Sequence, residues 1–207
     1  MGLDLSLFMA DWERLCRFPV EDRIEALHDT TWPPELDDGH LRYERAGGWQ
    51  WPPVPGVAWC AEYDFFSTTG AYRPHAHAGE AWDDLRLLVD PSVREAVDTF
   101  LGNLIWDADP ADDPALTGGG GFFPPVTDRW RPHFLLVCPP ETVAVKAAAW
   151  KRVEPHLEAL REPFAAECAG WAGRPDTFEA FTALLREWGD VTTEAAARRG
   201  WGLVGLP

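Results

Sequence analysis

Tryptophan occurs twelve times in this chain of 207 residues, from Trp12 to Trp201, and the four cysteines (Cys16, Cys60, Cys138, Cys168) form no CxxC pair. Each buried indole takes on the order of 200 Å² out of water. A chain this rich in indole is predicted to build a sizeable core, and it can pin long loops against that core without disulfides. Hydrophobic residues make up 46% and charged residues 25%, the balance of a globular protein rather than of a disordered, collagenous or coiled-coil chain. At roughly 150 residues per domain the length predicts one globular domain over residues 1–207. The cysteines are read as small core residues, since free thiols are commonly buried.

Thirty-four acidic residues stand against 18 basic ones, a formal net charge of −16. Nucleic acids and anionic membranes are met by clusters of Lys and Arg, yet this chain has only Lys146 and Lys151 and no basic run longer than Arg198-Arg199. Neither is therefore expected as a partner. A protein or small molecule is, and a basic protein would be steered to the acidic surface. No apolar run approaches the roughly 18 residues of a membrane span. The N-terminal stretch carries Asp4 among its leucines with no basic residue ahead of it, unlike a secretory signal, so the expected location is the cytoplasm. Arg greatly outnumbers Lys, and Ala, Gly and Pro are plentiful, as in GC-rich bacterial genomes.

The periodicities predict an α+β fold, with about seven helices packed around a small sheet that includes both chain termini. Strands are expected at residues 3–9, 57–66, 133–138 and 201–206, where apolar residues alternate or cluster. Asp11 is placed to cap a helix over 12–17, Pro19 to open one over 20–28, and Asp90-Pro91 to open one carrying Val93, Val97, Phe100 and Leu101. A helix is expected over 80–89. A longer helical stretch begins at Pro139-Pro140 and should kink or divide at Pro155 and Pro163. Pro175 should open another helix, and a short final one is expected over 192–199, with Gly200 just past its end. Two Pro- and Gly-punctuated segments, about 30–56 and 107–127, read as long loops, the first as a loop or a weak hairpin.

The hydrolase and metalloprotease motifs GxSxG and HExxH are absent from the sequence. Gly118 to Gly121 lacks the Lys-Ser/Thr of a phosphate loop, and Asp107, Asp109, Asp112 and Asp113 lack calcium-loop spacing. His75-Ala-His77 lies in a turn-rich connection; in an extended segment two residues apart point the same way, as chelation needs. Glu62 and Asp64, on one face of the 57–66 strand, would complete a set of divalent-metal ligands; otherwise no cofactor is expected. Trp49, Trp51 and Trp130, in or beside the loops, are the candidate ligand-binding aromatics, although indoles in such loops can equally serve as core anchors.

The leading expectation is a non-enzymatic cytoplasmic interaction or ligand-binding module, inhibitor-like or immunity-like, presenting aromatic loops and an acidic surface. The alternative is a small metal-assisted or acid/base enzyme using Glu62, Asp64, His75 and His77.

Overall fold

The computed structural model describes residues 4–31, 47–52, 58–106, 121–124 and 136–207. Among them lie five strands, β1 (Ser6–Asp11), β2 (Gly48–Gln50), β3 (Cys60–Asp64), β4 (Leu136–Cys138) and β5 (Trp201–Leu206). The seven α-helices are α1 (Trp12–Cys16), α2 (Arg23–Thr31), α3 (Arg73–Leu85), α4 (Pro91–Leu101), α5 (Pro140–Val153), α6 (Arg161–Glu167) and α7 (Phe178–Ala197). The architecture is α+β. The strands form one antiparallel sheet in the order β2-β3-β1-β5-β4, so the two strands nearest the chain ends are neighbours, with Ser6 opposite Leu206 and Leu7 opposite Gly205.

Side chains alternate across this sheet, and each face has its own core. Leu7, Met9, Tyr63, Leu136, Cys138 and Leu203 point to the larger one, shared with α3 to α7. Phe8, Ala10, Cys60, Val204 and Leu206 point the other way, where Leu15 of α1, Leu27 of α2 and Phe123 cover them. The register of β1 is therefore strongly specified, because a slip by one residue would exchange the two sets.

Local signals account for most of the boundaries. The Asp11 carboxylate accepts from the Arg14 amide at 3.1 Å and caps α1; Asp90 accepts from Ser92 at 2.8 Å and caps α4. The long helical stretch divides as its prolines require: α5 ends at Val153, a 3-10 segment Glu154–Leu160 carries Pro155, and α6 follows. The first expected segment, 30–56, contains β2, whose antiparallel partner is β3 outside that segment rather than a second strand within it. Of the other expected loop, only residues 121–124 are described, with Phe123 in the smaller core; Phe122 stacks on Trp12 at 4.3 Å.

Two helical expectations are corrected. A separate helix over 192–199 does not form, because α7 runs unbroken for 20 residues through Gly189. That glycine is a packing device rather than a break: a Cβ there would lie 2.1 Å from the Trp150 ring, so only glycine lets α5 and α7 approach so closely. The second correction concerns α3, which begins at Arg73 rather than Glu80 and takes in both histidines of the HxH pair. Three of the cysteines are core residues, but Cys16 is exposed.

Candidate functional site

The connection between β3 and α3 is held in place from below by two consecutive residues of α7. The Glu187 carboxylate accepts from the Phe66 amide at 2.6 Å, from the Ser67 amide at 3.3 Å and from the Ser67 hydroxyl. Beside it, the Trp188 indole N–H donates to Nδ1 of His75 at 3.1 Å, and Nε2 of His75 lies 3.2 Å from the Thr68 hydroxyl oxygen. Indole is a donor only, so Nδ1 carries no proton and the neutral ring must carry it on Nε2. Nε2–H then donates to Thr68 Oγ1. This leaves the hydroxyl hydrogen of Thr68, a residue only 5% exposed, with no acceptor among the described residues.

That proton arrangement decides what the His75 and Thr68 pair can do. A general base must accept the nucleophile's proton, and Nε2 already bears one, so His75 cannot activate the Thr68 hydroxyl. Burial also pushes the imidazole down to about 3, which keeps the ring neutral and structural. Because an unfolded histidine binds a proton near 6.5, the unfolded chain holds more protons between pH 6.5 and 3, and stability falls as pH drops through that window. From pH 7 to pH 5 this one group should cost about 2 kcal/mol. Urea denaturation of wild type and His75→Gln at both values is expected to show that extra loss in wild type only. Parallel pH profiles would refute the assignment.

Thr68 lines a cleft of about 430 Å³, walled by the first turns of α3, by residues 171–176 and by Ala180 and Leu184 of α7. Two arginines enter it and play different parts. Arg174 is clamped to α3 through Glu80 and Asp84, both at 2.6 Å, and so fixes the 171–176 wall. Arg73, exposed at the start of α3, donates to Nε2 of His77 at 3.4 Å, and among the described residues no carboxylate pairs with it. Trp171 stands on the same cleft 68% exposed, and it is the one exposed tryptophan among the described residues.

The residues singled out from sequence are dispersed. Residues two apart on a helix are separated by about 200°, so His75 turns into the core and His77 toward the cleft. Glu62 and Asp64 project from the opposite sheet face to Tyr63 and Phe65, whereas His75 packs on Phe65 at 4.5 Å. The sheet therefore lies between the acids and that histidine. Among the described residues no group of three or more His, Cys, Asp or Glu is placed to hold a metal ion. The convergence expected of Glu62, Asp64, His75 and His77 is thereby corrected; it depended on an extended segment where Pro74 instead sits in the first turn of a helix.

Trp49 and Trp51 are half-buried against the main core, Trp49 edge-on to Tyr63 at 4.9 Å and Trp51 to Trp201 at 5.8 Å. The Arg198 guanidinium lies 4.3 Å from the Trp51 ring. Trp130 lies outside the described residues. Burial pushes the thiols of Cys60 and Cys138 up, to about 12 and about 11, so neither is a nucleophile at neutral pH. Sequence reasoning missed Thr68, Arg73 and Trp171, the first and last of which are 103 positions apart, and which share no motif. No family model matches the chain, and no curated protein or solved structure does either.

Proposed function

We propose that this chain is a non-enzymatic binding module of the cytoplasm whose receptor site is the cleft between α3, α7 and residues 171–176. The observation that carries the reading is Trp171, a large exposed indole on a concave site, in a chain whose other described tryptophans are buried or half-buried. Two further features support it. The floor of the cleft is fixed by Glu187 and His75, so little ordering accompanies binding. The volume also lies in the range of small-molecule sites, roughly 300–1,000 Å³. Cytoplasmic placement is supported by four free thiols and by the lack, among the described residues, of any helix long and apolar enough to cross a membrane.

The test is ligand-observed NMR with a panel of small organic acids, amines and phosphates. Trp171→Ala, at an exposed position, should change stability by no more than about 0.5 kcal/mol while abolishing the hits that wild type gives. Identical hits for the two proteins, or none for wild type, would end this reading.

A second reading, docking of a basic protein, is supported by Glu187, Asp190 and Glu194. They recur along one side of α7 and, after burial, are what raises the Tyr63 hydroxyl above its ordinary value. Association with such a partner should weaken steeply between 50 and 500 mM salt, because exposed charges are screened. A salt-independent affinity would count against it.

A further inference from the structure

Granting that the cleft is the receptor site, we infer that its ligand is a small monoanionic carboxylate with a flat apolar body, the carboxylate held by Arg73 and Thr68 and the body against Trp171. Arg73 presents a planar fork of N–H donors, of which one is engaged by His77, and no described carboxylate neutralises it. Such a fork matches the two oxygens of a carboxylate. The Thr68 hydroxyl adds a donor of fixed sense, since its oxygen already accepts from His75 and its hydrogen has no described acceptor. What this corner of the cleft lacks is an acceptor, and a carboxylate is acceptor-only.

The charge balance separates a carboxylate from a phosphate. One unneutralised cation balances one negative charge, Asp176 lines the same cleft, and the chain as a whole carries −16. A phosphate near its dianionic state would meet both repulsions with a single arginine to offset them. Pro74, Pro175 and Leu184 beside Trp171 give the cleft an apolar wall that suits a ring or flat chain, while Arg174 on the same cleft is already paired with Glu80 and Asp84.

The experiment uses the full chain labelled with 5-fluorotryptophan, the Trp171 ¹⁹F signal being assigned with Trp171→Phe, and three probes that share a phenyl body: hydrocinnamate, phenyl phosphate and phenethylamine. Hydrocinnamate should shift the Trp171 signal saturably and more tightly than the other two. Arg73→Gln should weaken it at least tenfold, as loss of a charge-assisted fork implies, and Arg73→Lys, which keeps the charge without the fork, should fall between. Unchanged signals from the other tryptophans would confirm that these surface variants fold. Equal affinity of Arg73→Gln and wild type for hydrocinnamate would overturn the inference. Tighter binding of the phosphate or the amine would also overturn it while leaving the cleft a receptor. If no probe moves the Trp171 signal, the carboxylate assignment falls, and the panel comparison with Trp171→Ala judges the cleft separately.

Discussion

A chain cut after Gly200 is expected to be unfolded at 25 °C. The cut removes β5, which lies between β1 and β4, and so it both divides the sheet and strips β4 of the strand it pairs with. Leu203 leaves the larger core, and Val204 and Leu206 leave the smaller one; all three are at most 2% exposed. Each large core truncation costs about 2–5 kcal/mol, and three together approach the 5–15 kcal/mol by which whole domains are stable. The backbone groups of β1 that face β5 would also lose their partners. Far-UV circular dichroism through a thermal ramp checks this. A cooperative melt at the full-length temperature would show that the strand is a dispensable appendage.

The second large effect is expected at Gly79, where helix propensity and packing point in opposite directions. Alanine is the better helix former by about 1 kcal/mol, so Gly79→Ala should stabilise an isolated α3. In the fold a Cβ at that position would sit 1.9 Å from the backbone carbonyl oxygen of Ile105, less than two-thirds of a normal contact distance. The obstacle is main chain and cannot rotate away. Either α3 or the 104–106 turn must move, and with it Trp106, whose indole donates to Asp83 on α3 at 3.2 Å. Overpacking of this kind costs about 3 kcal/mol or more. A urea midpoint equal to or above that of wild type would show that the turn yields freely.

The fold was legible where the physical signal is local or periodic. Asp11 and Asp90 announce their helices by capping chemistry, Pro155 divides a helix by geometry, and the apolar N-terminal stretch marks β1, which runs Ser6–Asp11 rather than 3–9. Placement of the first and last strands in one sheet followed from backbone satisfaction, since neither short apolar segment could bond its own polar groups; that they are direct neighbours in it did not. Both misplaced helix starts, 80 and 192, lie just after a glycine inside the observed helix, Gly79 of α3 and Gly189 of α7. Glycine's low helix propensity reads as an interruption, whereas at both positions its missing Cβ admits a neighbour, which only the three-dimensional packing reveals. The site was harder to read for a related reason. The HxH pair looked like chelation because its spacing was judged on an extended connection, and a helix turns the same spacing into opposite directions. Thr68 matters only through the direction of one proton, set by an indole 120 positions away.

The adjacency of β1 and β5 also constrains time. Ser6 and Leu206 are register partners two hundred positions apart. A ribosome adding about 5–20 residues per second will have made the first strand many seconds before its neighbour exists. Until then β1 has an unpaired edge and two apolar faces, Leu7 and Met9 on one and Phe8 and Ala10 on the other. Such a segment is the kind that invites aggregation or capture by a chaperone. Helices α3 to α7 can form from local contacts in the meantime, but closure of the sheet is a late, long-range event and should set the folding rate.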